Sequence, residues 1–393
     1  MYKTITLKKG KDESLKRFHP WVFSGAIKYI DEGIEEGDSV RLLTENGDFI
    51  AVGHFQIGSI AVRVLSFNDV EINSEFFRER LEKALFMRKC IGTADNPKNN
   101  TYRLVHGEGD NLSGLVIDCY GETAVMQAHS IGMHKCRDIV ANELVKVMGE
   151  RIKNVFYKSD TTLPYKAAIG QENGFIIGNS ENNTAMENGL EFHVDWLKGQ
   201  KTGFFIDQRE NRLLLEKYSK DKTVLNMFCY TGGFSFYAMR GGAKVVHSVD
   251  SSAKAVELTN ANVELNFPYD KRHAAYCDDA FKFLEKANDV YDLIILDPPA
   301  FAKHRNALHN ALKGYTRLNL KAMQRIRPGG ILFTFSCSQV VTKDNFRNAV
   351  FTAAALAGRK VRILHQLHQP ADHPVNIYHP EGEYLKGIVL YIE

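Results

Sequence analysis

The feature that most constrains the fold is an alternation of strand-like and helix-like segments that begins near residue 200. Short hydrophobic runs are separated there by longer segments with helical patterning, and the runs are TVLNMF, KVVHSVD, HAAYC, YDLIILD, GGILFTFS and KGIVLYIE. Such alternation is typical of a parallel, doubly wound sheet with helices on both faces. We therefore predict a Rossmann-like α/β domain over residues 198–393, in which a ligand binds at the carboxyl ends of the strands.

The first two hundred residues have a different pattern, which predicts two further domains. Residues 1–72 contain short alternating runs broken by Gly and Asp turns, as in a small all-β domain. Residues 73–197 combine strands with helices near 75–92 and 133–149, which predicts a central α+β domain. On the second of these helices, we expect the apolar side to carry Ile139, Leu144 and Val147.

Composition indicates a soluble cytoplasmic protein. Of the 393 residues, 44% are hydrophobic and 25% are charged, as in ordinary globular chains. No run approaches the roughly 18 apolar residues of a membrane span, and the first twenty residues are too polar for a signal peptide. We therefore expect no membrane partner.

The six cysteines lie far apart and form no CxxC pair. This spacing argues against a zinc site and against a disulfide framework, so we expect reduced thiols and no metal. For four of them we expect the role of a small buried hydrophobe, namely Cys90, Cys119, Cys136 and Cys277.

Positive charge is concentrated towards the C terminus. Residues 301–393 carry 13 Lys or Arg against 5 Asp or Glu, a local net charge of +8. A stretch of one sign beside a candidate site favours a polyanionic partner, although the countercharges could instead lie elsewhere in the fold. Between Asp297 and Cys337 there is no acidic residue, and the basic ones are Lys303, Arg305, Lys313, Arg317, Lys321, Arg325 and Arg327.

Polar motifs follow the predicted strands, and the first is a glycine turn. The segment VLNMFCYTGGFSFYAMRGGA, residues 224–243, predicts a strand, a turn at Gly232 and Gly233, and a helix. Neither glycine has a Cβ, so the backbone can turn tightly and approach a ligand closely. The three spaced glycines of a pyrophosphate cradle are missing. We therefore expect a nucleotide that lacks a pyrophosphate.

Acidic residues follow the next two strands. Asp250 ends VVHSVD, where a carboxylate can accept hydrogen bonds from ribose hydroxyls. Asp278 and Asp279 follow the third strand, where one of them could receive an adenine amine. Taken singly, each acid could be a loop residue or a helix cap. Together they predict S-adenosylmethionine, a nucleoside without phosphates.

The last two strand ends predict the reacting groups. DLIILDPPAF ends in two prolines that stiffen the chain and hold Asp297 near the methyl donor, unless this is only a rigid turn. FTFSCSQVV places Cys337 at the exit of a core strand, on the same rim as Gly232 and Asp297. Its thiolate would be a nucleophile, favoured by the basic stretch upstream. The alternative for Cys337 is a buried structural thiol.

Five motifs in this order resemble the RNA large subunit methyltransferase I family of bacterial 23S rRNA cytosine-5 methyltransferases. They are KTGFFIDQRENR, LNMFCYTGGFS, DPPAF, TFSCS and the tail QPADHPVN...PEGEYLKG, and HPWVFSGAI resembles the start of the family's RNA-binding PUA domain. The resemblance spans nearly the whole chain. It implies an N-terminal PUA β-barrel, a central domain and a C-terminal methyltransferase domain.

The resemblance also implies roles for individual residues. Cys337 would attack C6 of a cytosine that is flipped from its stack, and Asp297 would hold the N3 and N4 edge of the base. The DPP motif has Ala300 and no second cysteine, so the group that takes the C5 proton stays open. Cofactor contacts would come from Gln208, Phe228 and Tyr230, together with Gly232, Gly233, Asp250, Asp278, Asp279 and Asp297.

The partner implied is large-subunit rRNA, with a homodimer left open. Residues 1–72 contain 9 basic and 11 acidic residues, so most phosphate binding falls to the C-terminal domain. We expect it at Lys303, Arg305, Lys313 and Arg317.

Three alternatives stay open from sequence. An RNA methyltransferase that acts on an exocyclic amine such as N2 of guanine can share the glycine and DPP motifs, but needs no cysteine. A nicotinamide oxidoreductase is disfavoured by the missing glycine fingerprint. A non-catalytic RNA-binding protein with a methyltransferase fold would have no need of the residues found at the strand ends.

Overall fold

The computed structural model describes residues 2–164, 172–180, 182–287 and 291–393. Their contacts divide the chain into two compact units, and the three-domain boundaries at 72 and 197 stay a prediction. The first unit comprises Met1–Gly189, Val194–Ile206 and Ala371–Gly382. The second comprises Leu190–His193, Asp207–Pro370 and Glu383–Glu393.

The first unit begins with a six-stranded sheet in the order β2-β6-β5-β4-β1-β3, in which β1 and β4 are the parallel neighbours. Its strands are β1 (Lys3–Leu7), β2 (Trp21–Phe23), β3 (Ile27–Ile30), β4 (Ser39–Leu43), β5 (Phe49–Phe55) and β6 (Ile60–Ser66), with the short helix α1 (Glu13–Lys16). Alternate residues point inward, as Val40 and Leu42 do from β4. This sheet confirms the predicted N-terminal all-β fold.

A second sheet of the same unit has the order β11-β10-β9-β8-β7. Its strands and helices are α2 (Ser74–Cys90), β7 (Thr101–His106), β8 (Leu115–Tyr120), β9 (Thr123–Ala128), α3 (Ile131–Lys135), α4 (Arg137–Met148), β10 (Asn154–Tyr157) and β11 (Gly174–Ile177), followed by β12 (Thr184–Glu187). Asn73 caps α2, since its side chain accepts the Phe76 N–H at 3.1 Å. Phe77, Leu81 and Leu85 of α2 are buried in the core of this sheet.

The apolar side predicted for the helix near 133–149 was partly wrong. The helix is interrupted at Cys136, and α4 buries Val140, Ala141, Leu144 and Met148. Those positions follow one stripe of a 3.6-residue helix, which turns Ile139 towards solvent, where it is 40% exposed.

The second unit is built on a seven-stranded sheet in the order β16-β15-β14-β17-β18-β20-β19. Its elements are β13 (Leu190–His193), α5 (Arg209–Tyr218), β14 (Thr223–Met227), α6 (Gly233–Arg240), β15 (Val245–Asp250), α7 (Ala253–Asn266), β16 (His273–Cys277), α8 (Ala280–Lys286), β17 (Tyr291–Leu296), α9 (Leu308–Arg325), β18 (Ile326–Ser336), α10 (Lys343–Ala357), β19 (Val361–Leu367) and β20 (Lys386–Ile392). Strands β14 to β18 are parallel, which confirms the predicted Rossmann-like α/β fold.

Both faces of this sheet are covered. Ile294 and Leu296 of β17 pack in a core with α8, α9 and α10, whereas Leu293 and Ile295 pack in a core with α5 and α6. Near-continuous hydrophobic strands are what a sheet buried on two faces requires. The sheet is not wholly parallel, however, because β20 inserts antiparallel between β18 and β19.

The exposure of two cysteines and the contacts of Asp372 differ from, or add to, what the sequence predicted. Cys90 and Cys277 are exposed rather than buried, because Cys90 ends α2 and Cys277 ends the edge strand β16; Cys119 is buried and Cys136 is half-buried. Within the first unit, the buried Asp372 accepts the Arg103 N–H at 3.0 Å, and its carbonyl accepts from Arg88 at 2.9 Å.

Candidate functional site

The parallel strands of the second unit end at one edge of the sheet. Met227 at the end of β14 pairs with Val249 and with Leu296, and Leu296 pairs with Thr334 of β18. The glycine turn, Asp297 and Cys337 therefore leave neighbouring strands at the same edge. Adjacent strands lie about 4.8 Å apart, so the strands that carry the glycine turn and the cysteine are separated by about 10 Å.

The turn after β14 is held in a strained backbone conformation. Phe228 and Tyr230 have positive φ values of 59° and 48°, which side-chain-bearing residues adopt at a cost of about 1–3 kcal/mol each. Gly232 has a φ of 83°, and a Cβ there would lie 2.7 Å from a methyl group of Thr259. Thr259 Oγ1 donates to the Tyr230 carbonyl at 2.9 Å, and Asn262 Nδ2 donates to the Thr231 carbonyl at 2.9 Å. Helix α7 thus fixes the turn, and its Thr259 side chain leaves no room for a Cβ at position 232.

Asp250 is oriented by the same turn. Its two carboxylate oxygens accept the backbone N–H groups of Tyr230 and Ser252, each at 3.0 Å. Each oxygen keeps a further lone pair for a hydroxyl donor. The carboxylate therefore has a fixed pose beside the glycine turn, which fits the ribose contact predicted for it.

The two acids after β16 have different surroundings. Asp279 caps α8, because its side chain accepts the Lys282 N–H at 3.0 Å. Asp278 accepts the Asp279 N–H at 2.8 Å, which lowers the pKa of Asp278, and it lies 3.3 Å from the Lys286 ammonium group. Both remain candidates for the adenine contact, and Asp279 also has the capping role that sequence left open.

Asp297 is hydrogen-bonded to the first of two buried side-chain amides, those of Gln208 and Asn211. Asn211 Nδ2 donates to Gln208 Oε1 at 2.6 Å, so the Gln208 amide presents Nε2 to Asp297 Oδ2 at 3.1 Å. Gln208 and Asn211 are each 3% exposed. Gln208 therefore orients Asp297, and its predicted contact with the cofactor stays a prediction. Sequence reasoning missed Asn211, although its position three residues after Gln208 places both on one face of the chain.

The segment around Cys337 is anchored on both sides. Ser336 Oγ donates to the buried Tyr315 hydroxyl at 2.9 Å, and Ser338 Oγ donates to the Ala302 carbonyl at 2.5 Å. Cys337 lies between these anchors and is half-buried. Burial raises the pKa of Tyr315 to about 12, so its hydroxyl is neutral. Sequence reasoning missed Tyr315, which no local motif marks.

Three cations of the basic stretch have partners within the fold. Lys321 pairs with Glu285 at 2.7 Å, and Arg327 pairs with Asp292 at 3.1 Å. Arg325 donates to two backbone carbonyls near the end of α8, at 3.1 and 3.0 Å. Lys321, Arg325 and Arg327 thus have partners elsewhere in the fold, which was the alternative to a polyanionic partner.

The four residues predicted to bind RNA are all exposed. Arg317 lies over the Phe281 ring, with 4.1 Å between the guanidinium carbon and the ring centroid. The other three carry charge on the loop after Asp297 and on the start of α9; they are Lys303, Arg305 and Lys313. All four side chains are thus accessible from solvent, as phosphate binding would require.

Neither a metal cluster nor a membrane helix is found in the described ranges. There, no three His, Cys, Asp or Glu side chains are grouped so that they could hold a metal ion. Across residues 2–164, 172–180, 182–287 and 291–393, no helix has both the length and the apolar character that a membrane crossing requires.

Comparison with known proteins gives the family. A PUA-like domain model matches residues 5–67, and an S-adenosylmethionine-dependent methyltransferase model matches residues 174–376. The ribosomal RNA large subunit methyltransferase I proteins of Aliivibrio fischeri and Alteromonas mediterranea are each 39% identical, over 98% of this chain and 98% of theirs. The chain belongs to the ribosomal RNA large subunit methyltransferase I family.

Solved structures agree in fold with this methyltransferase I family assignment. A candidate S-adenosylmethionine-dependent methyltransferase from Streptococcus mutans has a TM-score of 0.83 at 23% identity, over 99% of both chains. A second methyltransferase structure, in complex with S-adenosylhomocysteine, has a TM-score of 0.84 at 23% identity and the same coverage. As a family member, the chain is an S-adenosylmethionine-dependent methyltransferase. The roles of the glycine turn and of Asp250 in binding this cofactor stay predictions.

Proposed function

We propose that this protein methylates C5 of a cytosine in 23S rRNA through a covalent adduct with Cys337. The observation that carries the proposal is a thiol at the end of β18, anchored by Ser336 and Ser338, on the sheet edge that also holds Asp297 and the glycine turn. The substrate class is supported by relatives that are named for large-subunit ribosomal RNA.

A thiol at this edge matters because C5 of cytosine is a poor nucleophile. Addition of the Cys337 thiolate forms a bond to C6 and moves the C5=C6 electron pair to C4–C5. The C4=N3 electron pair moves to N3, which takes a proton from the Asp297 carboxyl group. C5 is then an enamine carbon. Bound S-adenosylmethionine supplies an electrophilic methyl group on a sulfonium leaving group.

The same residues complete the cycle. C5 uses its electron pair to form the bond to the methyl carbon, while the C4=N3 bond reforms. A base removes the C5 proton, the C5=C6 bond returns and the thiolate of Cys337 leaves, after which N3 returns its proton to Asp297. The Gln208 amide, fixed by Asn211, would hold Asp297 against the N3 and N4 edge throughout.

Methylation of an exocyclic amine is the rival chemistry. It commonly uses an aromatic ring after the two prolines to stack the target base, and Phe301 is the candidate. Phe301 instead packs against the buried ring of Tyr315, with 4.6 Å between the centroids, and against Gly314, where a Cβ would lie 2.9 Å from the Phe301 ring. This internal packing favours carbon methylation.

The proposed adduct can be trapped. RNA that contains 5-fluorocytidine cannot lose a C5 proton, so the enzyme, the RNA and S-adenosylmethionine should form a denaturation-resistant complex. We expect the complex to be lost in Cys337→Ala. The matched control is Cys277→Ala, which removes an exposed thiol at the same edge of the sheet and should still give the complex.

Two results would contradict the proposal. Methyl transfer to unmodified RNA with no trapped complex would favour amine methylation. Absence of S-adenosylmethionine binding in calorimetry would instead favour an RNA-binding protein without activity. Mapping 5-methylcytosine in 23S rRNA from cells that lack the protein would identify the nucleotide.

Phosphate binding by the four exposed cations is part of the same proposal. Lys303, Arg305, Lys313 and Arg317 lie on the segment that directly follows Asp297, so RNA bound there would be near the base-binding edge. Assembly as a homodimer stays open, and sedimentation of the purified protein would decide it.

A further inference from the structure

A lysine from the last strand lies beside the cysteine segment. Lys386 begins β20 and pairs in antiparallel register with Ser336, the last residue of β18. Its Nζ donates to the Ser338 carbonyl at 2.7 Å, and the residue is 6% exposed. Lys386 therefore contacts the residues on both sides of Cys337, Ser336 through backbone pairing and Ser338 through its ammonium group.

The charges around Lys386 come from three elements. They are Cys337 after β18, Glu383 in the segment before β20, and Lys343 at the start of α10. Burial lowers the pKa of Lys386 to about 8, while negative charge on Cys337 and on Glu383 acts in the opposite direction. Since this value lies above 7, Lys386 is mainly a cation at neutral pH. Glu383 is partly neutralised by Lys343 at 2.5 Å.

We propose that the ammonium group of Lys386 stabilises the thiolate form of Cys337 and so acts as a positioning and activating residue for the nucleophile. The proposal deepens the proposed function and rests on it for its catalytic consequence. A buried cation interacts with a neighbouring anion far more strongly than an exposed one, whose charge is screened by water and salt.

Under this proposal, the activating charge comes from Lys386 and not from the upstream basic stretch. Lys303, Arg305 and Lys313 are exposed, and Lys321 is paired with Glu285. Lys386 is instead buried and hydrogen-bonded to the residue that follows Cys337.

The thiolate can be measured without RNA or methyl donor. The rate of Cys337 alkylation by iodoacetamide, followed by peptide mass spectrometry from pH 5 to 10, reports the thiolate fraction. In Lys386→Met we expect the midpoint of this profile to rise by about one pH unit, so the rate at pH 7 falls about tenfold. Lys386→Arg, which keeps the charge, should restore most of the rate.

A matched control separates charge from position. Lys343→Met removes a nearby cation whose side chain is 61% exposed. The pH profile of Cys337 alkylation should be unchanged in this variant. Methyl transfer by Lys386→Met should recover as the pH rises, whereas a merely structural loss would lower kcat at every pH.

The proposal is overturned if the profile of Cys337 is the same in folded Lys386→Met as in the wild type. Should that variant fail to fold, an NMR titration of Lys386 in Cys337→Ser decides: the lysine pKa must fall, because the coupling is reciprocal, and an unchanged value refutes the pairing. An alkylation shift without a 5-fluorocytidine complex would leave this inference standing and refute the proposed cytosine chemistry.

Discussion

Removal of the Tyr315 hydroxyl should lower both the stability of the protein and the rate of methyl transfer. Tyr315 is fully buried on α9, and its hydroxyl accepts from Ser336 at 2.9 Å. Its ring packs against Phe301 at 4.6 Å and against Phe346 at 5.3 Å. One side chain thus supports both the segment after Asp-Pro-Pro and the segment that carries Cys337.

The magnitude follows from these contacts. In Tyr315→Phe the ring contacts remain, so no cavity opens, and the loss is that of the buried hydrogen bonds of the hydroxyl, about 1–3 kcal/mol. A loss of about 2 kcal/mol corresponds to a fall in Tm of about 4–8 °C for a unit of this size. Because both reacting segments gain freedom, we expect kcat for methyl transfer to fall about tenfold or more.

The chain offers a matched control for this variant. Tyr291 is 3% exposed on β17, and its hydroxyl lies 2.8 Å from His247 Nδ1. It begins its strand, away from the catalytic edge, and burial raises its pKa to about 12, as it does for Tyr315. Calorimetric melting and single-turnover methyl transfer should show similar losses of Tm in Tyr291→Phe and Tyr315→Phe, with a loss of kcat only in the latter. Equal kcat values in the two variants would refute the reasoning.

Three further predictions concern other parts of the molecule. Gly232→Ala should weaken S-adenosylmethionine binding about tenfold in calorimetry, because the left-handed backbone costs about 1–2 kcal/mol, whereas Gly358→Ala, also at positive φ but in open space, should only lower Tm. Lys313→Ala should lower the slope of log RNA affinity against log salt by about 1, and Lys321→Ala, whose cation is already paired, should leave it unchanged. Burial lowers the pKa of His54 to about 4, so protonation of His54 destabilises the folded protein: the free energy of unfolding is at its full value above about pH 6.5 and falls as the pH falls towards 4. In acid titrations followed by circular dichroism, His54→Asn should lose stability less steeply, and an unchanged profile would exclude His54 as the cause.

Much of the candidate site could be predicted because its signals are local. A hydrophobic run predicts each parallel strand, and the residue that follows the strand lies at the carboxyl edge of the sheet. Gly232, Asp250, Asp297 and Cys337 could therefore be grouped from strand order alone. The partners of the basic stretch could not, because Lys321, Arg325 and Arg327 meet groups from α8 and β17 that no spacing rule connects to them.

The sequence by itself determined the fold class and the chemical types at the strand ends. The tertiary structure alone decided which groups support them: Tyr315 reaches Ser336 from another layer of the fold, and Lys386 reaches Ser338 across the antiparallel pairing of β18 with β20. Those contacts join residues 21 and 48 positions apart. A hydrophobic pattern specifies that a strand is buried, but not which strand lies beside it, so the environment of Cys337 emerges only when the sheet is assembled.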